Sequence, residues 1–159
     1  MLYLIDGHNL IPKIGLLLDS PDDENELIAL LQEYCRLRRA QMEVFFDGAP
    51  PGHAAVRKAG GTLTIHFVRQ GSSADAAIEV RLVQLGKRAR NWTVVSSDER
   101  VQRAARAAHA VTLTSEQFAL EMSRARRAGT SRLKNEATLG PEEVEEWLKE
   151  FGQKRGGER

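Results

Sequence analysis

Short apolar runs alternate with amphipathic stretches along most of the chain. The runs at residues 2–5, 42–46 and 92–95 each stop at a turn signal that contains an aspartate, as buried parallel strands do. Residues 62–68 alternate apolar and polar side chains, which predicts a half-buried strand. A further short strand is predicted over residues 110–113.

Helices are predicted between these strands, and several carry capping residues. The first begins at the Ser-Pro-Asp-Asp run of residues 20–23, with a serine cap, a proline at the first helical position and a capping-box acid. Two serines at residues 72–73 cap a helix that ends near residue 88. Residues 114–117 form a capping box that opens a helix ending at residue 127, and a shorter helix spans residues 99–108. Residues 49–62, rich in Gly and Pro, are predicted to form a loop with at most a short helix.

Strands that alternate with helices predict one α/β domain. Right-handed crossovers place such strands in a mainly parallel sheet with helices on both faces, a three-layer α/β/α arrangement. We expect this domain to span residues 1–127. Residues 128–159 are predicted to hold a linker at residues 129–135, a short acidic amphipathic helix that begins at Pro141, and a frayed tail.

The composition fits a folded domain and narrows the function classes. Of the 159 residues, 42% are apolar, which is enough for a core. The single cysteine, Cys35, excludes a disulfide framework and a cysteine-built zinc site. No apolar run reaches the roughly 18–20 residues that span a membrane, and the acidic end of residues 1–6 does not fit a signal peptide. We therefore expect a cytoplasmic protein without a membrane partner.

The net charge of +1 hides an uneven distribution. Residues 1–34 carry seven acids and one base, whereas residues 100–135 carry eight bases and two acids. A basic segment of this kind suits a phosphate backbone. Surface helices that simply carry arginine explain it equally well, so both interpretations stay open.

Four aspartates are predicted to meet at one edge of the sheet. Asp6, Asp47 and Asp98 each follow a strand, and the carboxyl ends of parallel strands share an edge. Asp75 begins a helix that leaves a loop on the same edge, with Glu79 one turn further along. Taken singly, each aspartate is explained by a turn or a cap. Together they repel one another, and a divalent cation would offset that repulsion and support phosphoryl displacement.

Other enzyme classes lack their motifs in this chain. It has neither G-x-G-x-x-G nor G-x-x-x-x-G-K-[ST], so no dinucleotide or P-loop nucleotide cofactor is expected. The first strand ends in Asp-Gly-His and not in Asp-x-Asp, which argues against an aspartyl-phosphate phosphatase. No pair of histidines has zinc-type spacing. The acidic edge is therefore the main candidate site.

Four short motifs give the chain a family resemblance. They are Leu-Ile-Asp-Gly-His-Asn at 4–9, Val-Phe-Phe-Asp-Gly at 44–48, Ser-Ala-Asp-Ala-Ala-Ile-Glu at 73–79 and Val-Val-Ser-Ser-Asp at 94–98. In order and spacing, over about residues 1–127, they resemble the YacP-like subgroup of the NYN branch of PIN-like nucleases. The subgroup typically has tyrosine where His8 stands, and Ala76 lacks an extra acid that some members carry.

The resemblance implies a PIN-like fold, dependence on Mg²⁺ or Mn²⁺, and endonuclease action on RNA. It assigns Asp6, Asp75 and Asp98 as the main metal ligands, while Asp47 completes the acidic cluster or acts through water. Asn9 would orient Asp6 or a phosphate oxygen, its plainer role being a helix or turn cap. The mechanistic hypothesis is in-line attack by a metal-activated water that leaves a 5′-phosphate, without a side-chain nucleophile.

Further residues are candidates for contacting the substrate. Ser96 and Ser97 are expected to hydrogen-bond to the carboxylates or to the scissile phosphate. His8 and Glu79 are weaker candidates, because a loop histidine and an exposed helix acid are often incidental. The basic residues predicted near the same edge would hold the RNA backbone, although solvated loop charge explains them equally well; they are Arg57, Lys58 and Arg69.

The function predicted from the sequence is a metal-dependent endoribonuclease that cleaves single-stranded RNA. A non-catalytic PIN-like module that binds RNA or ribosomes is the main alternative. A metal-dependent phosphatase or a DNA-directed nuclease on the same scaffold is the second. The subgroup is also linked with ribosome-associated RNA turnover, so the ribosome is carried as an optional partner. No residue can be assigned to a 2′-hydroxyl, so the choice between RNA and DNA stays open at the level of residues.

Overall fold

The structure, a computed structural model, describes residues 1–15, 22–49, 52–53 and 55–138. Its described residues form one six-stranded sheet from β1 (Leu2–Asp6), β2 (Gln41–Ala49), β3 (Ala55–Ala59), β4 (Leu63–Arg69), β5 (Trp92–Val95) and β6 (Val111–Leu113). The spatial order is β3-β4-β2-β1-β5-β6, and all neighbours are parallel except β3 and β4. The predicted mainly parallel sheet is confirmed.

Helices connect the strands. They are α1 (Gly7–Leu10), α2 (Asp23–Arg38), α3 (Ala74–Leu85), α4 (Glu99–Ala107) and α5 (Ser115–Thr138), with 3₁₀ segments at Ile11–Ile14 and Gly86–Asn91. Within the described part of the chain, none of them has the length and apolarity needed to span a bilayer.

Side chains that alternate along the strands pack into two separate apolar clusters, one on each face of the sheet. On one face, Leu31 of α2 and Phe118 of α5 are fully buried in the same cluster as Ile5 of β1. On the other face, Ile78 of α3 is fully buried in a cluster with Leu4. Full burial of a side chain of this size stabilises the fold by roughly 1.5–3 kcal/mol. The predicted three layers of helix, sheet and helix are confirmed.

Two of the predicted capping motifs are formed. Thr114 Oγ1 accepts the Gln117 N–H at 3.1 Å, and Gln117 Oε1 accepts the Thr114 N–H at 2.9 Å, which is a reciprocal capping box. At the start of α3, Ser73 Oγ accepts the Ala76 N–H at 3.1 Å. Both helices begin after the carboxyl end of a strand, so these caps fix loops on the predicted functional edge.

The prediction of a loop over residues 49–62 is wrong for Ala55–Ala59, which form β3. This strand pairs antiparallel with β4, with Ala55 opposite Phe67 and Ala59 opposite Leu63. Four of its five residues are exposed, so it lacks the apolar alternation from which strands are predicted. Backbone pairing at the sheet edge, which the residue pattern does not record, makes it a strand.

The linker predicted over residues 129–135 is also wrong, because α5 continues to Thr138. Residues 128–138 include Ala, Arg, Leu, Lys and Glu, which favour a helix, and Gly129 costs only about 1 kcal/mol relative to alanine. The chain divides into two compact units, residues 1–125 and 126–159. The domain boundary predicted at residue 127 stays a prediction.

Two predicted helix starts cannot be compared with the structure. Ser20 and Pro21 lie outside the described residues, within which α2 begins at Asp23. The acidic helix predicted from Pro141 and the tail after it also lie outside them.

Candidate active site

Asp6 is the last residue of β1 and lies in the interior of the carboxyl edge. It is only 6% exposed. The Ser96 hydroxyl donates a hydrogen bond to Asp6 Oδ2 at 3.1 Å, and the backbone N–H of Asn9 also bonds to this carboxylate. Gly7 follows because a Cβ there would collide with the Phe46 ring. Close packing of α1 on β2 therefore requires glycine at position 7.

Ser96 links Asp6 to the start of α4. Its side chain is fully buried, and its hydroxyl accepts the Asp98 N–H at 3.1 Å while it donates to Asp6. The Ser96 carbonyl accepts a hydrogen bond from Gln102 Nε2 at 2.9 Å. Ser96 thus makes the predicted hydrogen bond to a carboxylate, that of Asp6, and acts as a positioning residue. Its contact with a phosphate stays a prediction.

Negative charge accumulates around Asp6. Burial, followed by repulsion from Asp75 and then from Asp47, raises the pKa of Asp6 to about 6, against the hydrogen bonds from Ser96 and Asn9. Burial, followed by repulsion from Asp98, also raises the pKa of Asp75, and Asp47 adds to it. Each of the four predicted aspartates therefore repels at least one of the others electrostatically, as their places in the sheet predict.

The four carboxylates do not already form a closed metal site. Among the described residues, no three Asp, Glu, His or Cys side chains converge closely enough to hold a metal ion. Asp98 caps α4 through its carboxylate, which accepts the Arg100 N–H at 2.8 Å. The acids thus repel one another but do not surround a single point. Metal binding stays a prediction.

His8 occupies the edge beside Asp47 and holds it. Nδ1 lies 2.7 Å from Asp47 Oδ1, and Nε2 lies 2.8 Å from Glu24 Oε2. Burial disfavours the charged ring, but the hydrogen bonds to Asp47 and Glu24 outweigh it and raise the pKa of His8. The imidazole therefore bridges the two acids. Sequence reasoning missed Glu24, because nothing in the spacing of α2 connects it to the edge.

Asn9 uses its side-chain oxygen to join α1 to the start of α5. Oδ1 accepts the Ser97 N–H at 2.8 Å and the Ser115 hydroxyl at 2.5 Å. Ser97 Oγ in turn accepts the Ser115 N–H at 3.0 Å and donates to Glu116 Oε2 at 2.5 Å. Asn9 therefore reaches Asp6 through its backbone and positions two loops through its side chain. Phosphate contacts of Asn9 and Ser97 stay predictions.

Glu116 was missed by sequence reasoning because it lies inside a motif that was assigned only to capping. The Ser97 hydroxyl, then its own backbone N–H and Lys13, lower the pKa of Glu116 to about 2. Lys13 Nζ lies 3.0 Å from Glu116 Oε1. This acid is already satisfied by its neighbours, unlike Asp6.

Glu79 is engaged in an exposed ion pair. Arg100 Nε donates to Glu79 Oε1 at 2.5 Å. The charge of Arg100 also lowers the pKa of Asp75, in opposition to burial and Asp98. Arg100 is the cation that the sequence did not predict at this edge.

The three basic residues predicted near the carboxyl edge lie at different levels of the sheet. Arg69 ends β4 on the carboxyl edge. Lys58 lies two residues below the level of Asp6, toward the opposite edge. Arg57 pairs with Ile65, so it faces the α2 side, with its guanidinium 5.7 Å from the centre of the Phe67 ring. Arg57 is thus one residue and Lys58 two residues from the level of Asp6, and the predicted substrate contacts of all three basic residues stay predictions.

Comparison with known proteins gives a consistent family and fold. The chain matches the model of the YacP-like NYN domain over residues 3–154. A crystal structure of Rae1 (YacP) from Bacillus subtilis aligns with a TM-score of 0.69 and 22% identity, covering 99% of this chain and 96% of that chain. A point mutant of the same protein aligns with a TM-score of 0.71 and 21% identity over 89% and 86%. No curated protein matches the sequence.

Proposed function

Because the chain belongs to the YacP-like NYN domain family, a PIN-like nuclease family, we propose that it is a metal-dependent endoribonuclease that cleaves single-stranded RNA. The observation that carries this proposal is the state of Asp6. Its carboxylate is 6% exposed, is held by Ser96 and is repelled by Asp75 and Asp47, and within the described part of the chain no ion pair joins it to a cation. Such an arrangement is costly unless a positive ion binds to it.

Mg²⁺ or Mn²⁺ fits the chemistry of this donor set. All four side chains offer carboxylate oxygen, the ligand that hard divalent cations prefer. Asp6, Asp75 and Asp98 would hold the ion, and Asp47 would complete the acidic field. Mg²⁺ commonly keeps several of its waters, which suits carboxylates that do not converge as closed ligands. When bound, the ion would supply a water activated for attack and a counter-charge for the phosphate.

The residues of the chain have separate tasks in this proposal. Asp6 provides the fixed carboxylate, and Ser96 and the Asn9 backbone hold its orientation. Ser96 also connects it to Asp98, so that the ends of β1 and β5 act as one rigid unit. Arg69 stands at the same edge and would contact the RNA backbone, which makes binding weaken as the salt concentration rises.

Two observations favour the alternative of a non-catalytic module that binds RNA or ribosomes. His8 already forms a hydrogen bond with Asp47, and the described acids form no closed group of three ligands. A module that had given up metal binding would show the same features. Loss of the acid at Asp6 separates the two functions, because it removes cleavage in an enzyme and leaves a binding module unchanged.

The test is cleavage of end-labelled single-stranded RNA with Mg²⁺ or Mn²⁺. We expect cutting that EDTA removes and that the Asp6→Asn variant lacks. Asp22→Asn is the matched control, since Asp22 is exposed and its side chain makes no capping hydrogen bond. A matched DNA strand reports the sugar preference. Equal cleavage by wild type, Asp6→Asn and EDTA-treated protein would contradict the proposal, and binding without cutting would support the alternative.

A further inference from the structure

A cleft lies directly beside Asp6 on the same face of the sheet. The register of the sheet places Asp6 opposite Phe45 on β2, and Phe45 opposite His66 on β4. Neighbouring strands are about 4.8 Å apart, so the backbone of His66 lies roughly 10 Å from that of Asp6. Paired residues share a face. His66 therefore stands two strands from the acidic centre and at its level.

The cleft has a volume of about 330 Å³, at the lower end of the range for small-ligand sites. It opens between β4 and α3. The residues that line it include Phe45, His66, Ser72, Ala76, Arg81 and Gln84. Ala76 follows Asp75 directly in the first turn of α3. One helix thus carries both an acid of the candidate active site and part of the cleft wall.

Two of the lining side chains are held in fixed positions by a buried acid. Glu43 is 8% exposed and accepts two hydrogen bonds from Arg81 Nε at 3.0 Å and one from Nη2 at 2.9 Å. His66 Nε2 lies 2.8 Å from Glu43 Oε1. The His66 ring stacks on Phe45, with the ring centres 4.3 Å apart and the planes 5° from parallel. His66 is consequently a rigid, planar surface whose ring remains partly exposed.

The polar groups of the cleft suit a neutral, planar ligand better than a phosphate. Glu43 already compensates the charge of Arg81, so the cleft offers no spare positive charge. The Gln84 amide and the Ser72 hydroxyl have no hydrogen-bond partner among the residues that the structure describes. Both groups can donate and accept. A stacking ring with amide and hydroxyl groups around it is what recognition of an unpaired base requires.

We propose that this cleft binds one nucleobase of the RNA, stacked on His66 and read by Gln84, and that it sets a base preference at one position beside the cut. The proposal rests on the nuclease function proposed above and names the substrate feature that the site selects. A single base is the ligand because the cleft is too small for a duplex, and its nearest wall, Phe45, pairs with Asp6.

The first test maps the ends of products from an RNA pool with random sequence. We expect wild type to prefer certain bases at one position, at a fixed distance from the cut. Gln84→Ala and His66→Ala should reduce that preference at least about fivefold, the lower end of what a stacked base contributes. Val83→Ala, an exposed change on the same helix, and His109→Asn should keep it. Asparagine tolerates the positive φ of 62° at His109.

His66→Ala removes a hydrogen bond to Glu43 and could disturb the fold. Gln84 is exposed, so Gln84→Ala tests the proposal without that disturbance. An unchanged preference in both Gln84→Ala and His66→Ala would overturn the proposal, as would a wild-type enzyme without base preference at any position.

A second test separates this proposal from failure of the nuclease function. Metal-free protein is titrated with the four nucleoside 5′-monophosphates and with ribose 5-phosphate, and the Gln84 amide and His66 ring are followed by NMR. We expect at least one nucleotide to shift both signals, ribose 5-phosphate to shift neither, and Gln84→Ala to weaken the effect on His66. No shift by any nucleotide, or the same shift by ribose 5-phosphate, would overturn the base cleft whether or not the protein cuts RNA.

Discussion

Asp6 and Glu43 are two carboxylates on the same face of the sheet, with almost equal burial and opposite electrostatics. Asp6 is 6% exposed and Glu43 is 8% exposed. Burial followed by Asp75 raises the pKa of Asp6 to about 6. For Glu43, burial also acts upward, but the hydrogen bonds from His66 and Arg81 outweigh it and lower the pKa.

The difference shows that burial alone does not tell whether a carboxylate serves the fold or binds a ligand. Glu43 has the Arg81 guanidinium as a cation within the fold and a hydrogen bond with His66, so the chain itself compensates its charge. Asp6 has other acids as neighbours, and no cation is among the main influences that the described residues exert on its pKa. Of the two, only Asp6 would be stabilised in its charged form by a cation bound from solution. The predictions below separate these two regions.

The largest expected effect is on cleavage by Asp6→Asn. Replacing an outer-shell partner of a metal typically costs 10–100-fold, so loss of the ligand itself should reduce metal-dependent cleavage more than about 100-fold. Initial rates on labelled RNA measure this, with Asp22→Asn alongside. A rate within tenfold of wild type would mean that Asp6 is no ligand.

Glu43→Ala should act on stability and leave the chemistry in place. The change strands Arg81 and His66 at a part-buried position and should lower the free energy of unfolding by about 3 kcal/mol, the lower end for breaking a buried ion pair. Urea unfolding measures it, and the exposed Glu26→Ala is the control, expected within about 0.5 kcal/mol. The folded fraction of Glu43→Ala should still cut RNA. A loss of stability below about 1 kcal/mol would show that Arg81 and His66 do not compensate the buried charge of Glu43.

Asp6 should also give stability a recognisable pH dependence without metal. Its folded pKa of about 6 lies above the ordinary 3.8, so its contribution is fully present below pH 3.8 and is lost as pH rises through 6. The loss amounts to about 2–3 kcal/mol at pH 8. Asp6→Asn should therefore equal or exceed wild type in stability at pH 8, measured by urea unfolding in EDTA. A variant clearly less stable than wild type at pH 8 would contradict this.

Ser96→Ala should weaken metal binding by about 10–100-fold through loss of orientation at Asp6. Mn²⁺ titration of RNA cleavage measures the change. Ser131→Ala is the control, because Ser131 is exposed. An unchanged Mn²⁺ dependence in Ser96→Ala, with the protein folded, would show that the hydrogen bond to Asp6 is dispensable.

Much of the fold was predictable from local sequence. Continuous apolar runs gave the buried strands, and the Thr114 to Gln117 box gave the start of α5. The placement of Asp6, Asp47, Asp75 and Asp98 on one edge followed from topology alone. These features were accessible because each depends on neighbours in the chain or on a general rule of parallel sheets.

The remaining features depend on contacts between distant residues. β3 has mostly exposed side chains and exists through its hydrogen bonds to β4, so the sequence predicted a loop there. The bridge from His8 to Glu24 joins two helices, and the Asn9 contact with Ser115 spans 106 positions. Neither has a local signal. The same applies to Glu43, whose strand position suggests burial but not its partners.

The most direct measurement is the pKa of the Asp6 carboxyl group with and without a divalent ion, followed by ¹³C NMR and assigned with Asp6→Asn. We expect a value near 6 in EDTA, and a fall of more than one unit in Mg²⁺, because a bound cation favours the charged form. A value that stays near 6 in saturating Mg²⁺, or one near 4 in EDTA, would contradict the claim that Asp6 is a buried acid in need of a metal ion.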